Sequence, residues 1–304
     1  MMEKLPGWLL LLSLLLSVPE SGAATNEAAA GNLLWLQLAT APFPPPARAE
    51  GHSYDGKLFD AAVHYRDNTV AVFLPAGFST NGPTDFVVHF HGWHNHVARV
   101  LEHYDLLPQF VAGGRNAILI VPQGPYDAPD SFGGKLEDAG GFQRFMQEIL
   151  ASLREQHLLG SGEIGEIALA GHSGGYAVIS SILAVGGLTQ HIHEVWLYDA
   201  LYGRTPKFQA WFESDARARF IDIFTDHGGT KVETEQLEAE LRRAGTPFLA
   251  REEADLRKAD LRANRLIFIH TPLEHDEVPV KHRAFAEFLQ TSQLRQITTP
   301  PTVK

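Results

Sequence analysis

Apolar residues fall along this chain in two alternating rhythms, and the alternation organises everything after residue 85. Short, mostly apolar and often β-branched segments occur at 86–90, 116–121, 164–170, 194–198, 219–224 and 265–269. Such segments predict strands buried on both faces. Between them lie stretches with helical spacing. Residues 97–110 carry Val97, Val100, Leu101, Tyr104 and Leu107 on one face. Residues 141–155 do the same with Phe142, Phe145, Met146, Ile149 and Leu153. Charged helical stretches are expected over 232–244 and 251–261, and a closing helix over 280–289. Strand and helix in repeated alternation predict an α/β fold, with a mostly parallel central sheet and helices on both faces. Ahead of it, residues 58–66 and 69–74 read as two strands joined by an Asp67-Asn68 turn, an antiparallel hairpin at the N-terminal edge.

The two ends depart from this pattern. Lys4 precedes a leucine-rich run over residues 8–16, followed by Ser21-Gly22-Ala23. A basic start, a short apolar core and a small-x-small site describe a signal peptide over 1–23, cleaved near Ala23. The run is too short for a comfortable bilayer span, so no stable membrane anchor is expected after processing. Residues 24–51, rich in Ala and Pro, read as an extended, poorly packed lead-in. The domain proper is expected over 52–290, with a disordered tail over 291–304. The chain has 304 residues, no cysteine and a formal charge of −11. That length supports one large core, and the lack of cysteine leaves stability to that core even on an export route. The acidic balance argues against nucleic acid as a partner, because phosphate binding needs clustered Lys and Arg.

The chemistry concentrates in Gly171-His172-Ser173-Gly174-Gly175. This is a G-x-S-x-G sequence between an expected strand and an expected helix, the context of a nucleophile elbow. Ser173 is the nucleophile candidate, and a serine hydroxyl needs a general base. Together with Phe86-Val87-Val88-His89-Phe90-His91-Gly92 and His275-Asp276-Glu277-Val278-Pro279, the elbow makes residues 57–290 resemble the α/β-hydrolase family. The stretch from Val70 to Phe78 is similar to the opening of secreted esterases of the feruloyl-esterase and polyhydroxyalkanoate-depolymerase type.

The resemblance implies the order serine, acid, histidine. It places the base at His275, in the loop after the last strand, ahead of His270 on the strand and His282 on the helix. Two carboxylates compete for the acid: Asp199 after the strand 194–198 and Asp226 after the strand 219–224. Asp199 is preferred because no glycine follows it, although the commoner family position favours Asp226. Asp276 adjoins His275 and is poorly placed to meet its ring. The oxyanion hole is expected from the backbone N–H groups of Trp93 and Gly174.

The expected protein is an exported serine hydrolase acting on small-molecule or polymeric carboxylic esters, with no cofactor and no metal. An amidase or peptidase with the same triad, and a non-catalytic binding protein of the same fold, are the alternatives. A zinc enzyme built on His89, His91, His94 and His96 is a third class, but those residues lack the spacing and carboxylate partner of a zinc site. Specificity is expected to reside in the loops at 124–141 and 230–264, where fold likeness does not reach.

Overall fold

The structure, a computed structural model, describes residues 30–160 and 162–298. The expected signal peptide lies outside the described residues. Eleven strands occur among them: β1 (Gly31–Gln37), β2 (His52–Tyr54), β3 (Lys57–Phe59), β4 (Thr69–Pro75), β5 (Thr84–Phe90), β6 (Ala117–Pro122), β7 (Ile164–His172), β8 (Ile192–Tyr198), β9 (Arg219–Thr225), β10 (Leu249–Glu252) and β11 (Leu266–Thr271). Nine of them form one sheet in the order β1-β4-β6-β5-β7-β8-β9-β11-β10. From β6 through β10 every pairing is parallel, whereas β4 runs antiparallel to both β1 and β6.

The α-helices are α1 (Ala61–His64), α2 (Val97–His103), α3 (Leu106–Gly113), α4 (Gly141–Glu155), α5 (Tyr176–Ser181), α6 (Thr205–Ser214), α7 (Thr230–Ala244), α8 (Lys258–Ala263) and α9 (Ala284–Thr291). They cover both faces of the sheet, and the period-2 alternation of each strand sorts its side chains between two cores. Phe86 and Val88 of β5 join Phe145 and Ile149 of α4 on one side. Val87 of the same strand joins Val100 of α2 and Phe285 of α9 on the other. Trp196 and Tyr198 of β8 lie in this second core, while Val195 and Leu197 lie in the first. Both faces of the parallel strands are thus buried, which is why they read as mostly apolar segments without polar alternation.

Several expectations need correction. Residues 24–51 are not merely a lead-in, since Gly31–Gln37 forms β1, the edge strand hydrogen-bonded to β4, and Phe43 is fully buried. The proline-rich stretch that follows masked this strand. The antiparallel edge exists, but β4 pairs with β1 and β6 rather than with residues 58–66. Those residues contribute β3, paired with β2, and the helix α1. The single helix expected over 97–110 breaks at Asp105, which is left-handed at φ 50°. The charged stretch at 251–261 yields β10 and only the short α8. Residues 291–298 are not a disordered tail. Arg115 donates to the carbonyls of Leu289 and Gln290 in the last turn of α9 and of Leu294 beyond it, which ties this segment to the domain. Arg295 pairs with the buried Asp85 at 3.1 Å.

Asp222 is a buried carboxyl on β9. Thr234 donates to its Oδ2 at 2.6 Å, while Oδ1 has no partner. Burial pushes its pKa up from 3.8 to about 8, so the folded protein holds it neutral at pH 7. The unfolded chain would release that proton near pH 4, so the group's favourable contribution is complete below pH 4 and is lost as pH rises toward 8. Asp222→Asn should therefore gain stability relative to the parent across that window, on the order of 1–3 kcal/mol by pH 8. Melting temperatures measured from pH 4 to 8 check this; a difference that stays flat or shrinks with pH would refute it.

Candidate functional site

Three strand ends meet at the C-terminal edge of the sheet, where the loops of an open α/β fold build ligand sites. At the end of β7, Ser173 opens a short 3₁₀ turn running into α5. Its φ is +54°, a left-handed conformation that costs a non-glycine residue energy and points its hydroxyl out of the turn. The turn is tight because a neighbouring backbone passes close by. A methyl group on Gly175 would stand 2.7 Å from the Phe90 carbonyl oxygen of β5, so that position admits no side chain.

The loop after β5 leans on the same serine. A methyl group on Gly92 would lie 2.4 Å from Ser173 Cβ and 3.1 Å from the Gly174 nitrogen. His91 fixes how this loop presents its backbone. The Gly124 N–H donates to His91 Nε2 at 2.9 Å, so the proton sits on Nδ1, which donates to the Gly92 carbonyl at 2.8 Å. Burial pushes the His91 pKa down to about 4, which keeps this neutral tautomer. In a planar trans peptide the C=O and N–H point opposite ways. With the Gly92 carbonyl held by His91, the Trp93 N–H is turned the other way, and it donates to no acceptor among the described residues. Gly174 stands at the start of a helical turn, where N–H groups lack intrahelical partners.

After β8 comes Asp199, fully buried and left-handed at φ 45°. Its carboxylate receives the Thr225 N–H at 3.1 Å and the Thr230 hydroxyl. The Thr225 hydroxyl lies 3.1 Å away and also reaches the His227 carbonyl. His275 Nδ1 donates to Asp199 Oδ2 at 2.5 Å, which leaves Nε2 as the lone-pair nitrogen of the neutral ring. His275 and Ser173 line one cavity of about 610 Å³, together with Trp93, Arg99, Tyr176 and Tyr202. Among the described residues no hydrogen bond joins Ser173 Oγ to His275 in this conformation; such contacts often tighten only once substrate is bound.

Asp226 lies elsewhere. Its side chain is 47% exposed, accepts from Lys231 at 2.6 Å and lies 3.2 Å from His270 Nε2. His282 also faces away from this site, paired with Glu253 at 3.0 Å. Trp93 lines the cavity, donates its indole N–H to Ser131 Oγ at 2.7 Å and packs edge-on against Tyr54. Asp276 lines the cavity too, while the carboxylate bonded to the His275 ring is that of Asp199.

The four clustered histidines do not converge on a common point. His89 is buried with neither ring nitrogen bonded, and burial pushes its pKa down to about 3. His91 holds the loop, His96 accepts the Arg99 N–H at the start of α2, and His94 lines the cavity. Among the described residues, ligand atoms of His172, His275 and Asp276 lie within 4.8 Å of one another. Both nitrogens of His172 and Nδ1 of His275 are already hydrogen-bonded, which leaves few free lone pairs there for a metal.

No family model matches the chain, and no curated protein does. Solved structures do. A ferulic acid esterase is 14% identical and superimposes with a TM-score of 0.52 over 86% of this chain and 98% of its own. A serine-to-alanine variant of the feruloyl esterase module from Clostridium thermocellum, complexed with sinapinate, is 9% identical at a TM-score of 0.51 over 86% of this chain and 88% of its own. The chain has the α/β-hydrolase fold. Identities this low speak for the backbone alone, and chemistry on an α/β-hydrolase sheet has to be argued from its own residues.

The residues that sequence reasoning missed are those supporting the site: Thr225 and Thr230 on Asp199, His91 on the Gly92 loop, and His172 and Tyr104 beneath His275. Only His91 and His172 stood inside recognised motifs, and neither was given this supporting role there. Gly92→Ala tests how closely the loop sits on Ser173. It should cost about 1–3 kcal/mol of unfolding free energy in urea titration and slow acylation of Ser173 by a reactive probe about 100-fold. An alanine variant as stable and as reactive as the parent would contradict the close contact.

Proposed function

We propose that this chain is a serine hydrolase that cleaves carboxylic esters through an acyl-enzyme on Ser173. The observation that carries the reading is the run Asp199–His275 into the cavity that Ser173 also lines. Asp199 holds His275 with its proton on Nδ1, so Nε2 can take the proton from the Ser173 hydroxyl as Oγ attacks the ester carbonyl. The carbonyl oxygen gains charge, and the Trp93 and Gly174 N–H groups receive it. Collapse of the tetrahedral adduct breaks the bond to the alcohol, which leaves with the proton that His275 carried. Water then repeats the sequence on the acyl-enzyme and releases the acid. Aromatic side chains from Trp93, Tyr176 and Tyr202 line the cavity. They support an acyl or alcohol group with a flat apolar portion, in keeping with the ferulic acid esterase neighbour.

We also propose export, carried by the segment before residue 24, with the mature chain starting near Ala24. Among the described residues no helix is long and apolar enough to cross a membrane. N-terminal sequencing of exported protein should find that new start, and an intact Met1 would overturn it.

Ser173→Ala and His275→Ala are each expected to lower kcat for ester hydrolysis by about 10⁴-fold or more with melting temperature little changed. Asp199→Asn should lower it by about 10⁴-fold, and Asp226→Asn by no more than about threefold, because an exposed carboxylate of this kind contributes little beyond its ion pairs. Steady-state kinetics on purified variants decide this. A well-folded Asp226→Asn variant without activity, beside an active Asp199→Asn variant, would exchange the two roles.

A further inference from the structure

His172, the residue before Ser173, does more than fill the elbow. It is 2% exposed. Its Nε2 lies 3.1 Å from the backbone carbonyl of His275, and its Nδ1 lies 2.9 Å from the Tyr104 hydroxyl. The two imidazoles lie against each other, centroids 4.5 Å apart and planes inclined by 32°. A carbonyl only accepts, so Nε2 must carry the His172 proton. Nδ1 is then the acceptor, and Tyr104 donates its hydroxyl proton to it. The Tyr104 oxygen in turn accepts from Asn95 Nδ2 at 2.9 Å. Each proton has one destination, and the chain runs from Asn95, two residues past Trp93, to the backbone of the catalytic histidine.

We propose that His172 is a positioning residue that fixes the His275 loop by its backbone while Asp199 fixes the His275 ring. A tethered ring on an unanchored loop can still swing about Nδ1, and swinging displaces Nε2 from Ser173. Anchoring the His275 carbonyl removes that freedom. The arrangement requires a neutral His172, since a second cation against the ring would oppose the charge His275 takes up in each cycle. Burial, then the neighbouring His275, push the His172 pKa well below its usual value. Tyr104 is itself 1% exposed, so the relay is shielded from competing water. This inference rests on the hydrolase reading for its kinetic part only.

The test separates the two nitrogens. A glutamine can place an amide N–H where Nε2 stands, an asparagine reaches only the Nδ1 position, and a phenylalanine keeps the stacking but neither bond. With a small activated ester, His172→Gln should keep kcat within about fivefold. His172→Asn and His172→Phe should each lose about 10–100-fold in kcat with KM within about threefold. Tyr104→Phe, which frees His172 to change tautomer, should fall between. A readout independent of activity is the low-field proton resonance of the His275–Asp199 hydrogen bond, expected sharp in the parent and His172→Gln and shifted or broadened in the Asn and Phe variants. Full activity in His172→Phe would overturn the proposal. So would equal losses in all three variants that track melting temperature, which is the mark of a packing role. Should His275→Ala prove active, the hydrolase reading fails, and the resonance alone then decides whether His172 holds the loop.

Discussion

A carboxylate with no exposed surface sits at the centre of this structure, and its surroundings make sense only around it. Among the described residues no Lys or Arg is bonded to Asp199; it is held by the Thr225 N–H, the Thr230 hydroxyl and His275. A buried acceptor without such donors would cost several kcal/mol. The donors come from the end of β9, the start of α7 and the loop after β11, so satisfying one side chain draws three segments together. Each of those segments then carries something the cavity needs: His275 directly, and the turn through Gly228, which lines the wall.

The opposite wall obeys a steric rule instead. The Gly92 loop lies against Ser173 so closely that a single methyl group would collide. His91 sets the orientation of its peptide with one tautomer of one buried ring. Histidines serve here in several distinct capacities: a base candidate in His275, a loop holder in His91, a helix cap in His96 and an anchor in His172. Residue type alone cannot tell them apart, since burial and the second ring nitrogen's partner determine each one.

The strand–helix alternation made the parallel sheet legible, because strands buried on both faces are mostly apolar and do not alternate with polar residues. The elbow was legible for a related reason, since its glycines answer to clashes within a few residues or with the adjacent strand. What the sequence obscured depends on distant contacts. β1 carries the apolar run Leu33-Leu34-Trp35-Leu36, but that run stands in an Ala- and Pro-rich segment, and as an edge strand β1 is half open to solvent, with Trp35 49% exposed. β10, at the opposite edge, is largely exposed and charged. Asp199 and Asp226 follow similar strands, and what separates them is burial, which the sequence does not show. Thr225 and Thr230, 26 and 31 residues beyond Asp199, leave no local trace of their role. The glycine argument used to rank the two acids was not the operative one: Gly228 helps form the cavity wall, while Asp226 faces Lys231 and His270.

The central claim is that Ser173 is an activated nucleophile. Treatment of the folded protein with a fluorophosphonate, followed by intact-mass measurement and peptide mapping, tests it most directly. One adduct per chain on the peptide containing Ser173, abolished when the protein is unfolded before treatment, is the result this account predicts. No adduct, or an adduct on another residue with Ser173 untouched, would contradict it.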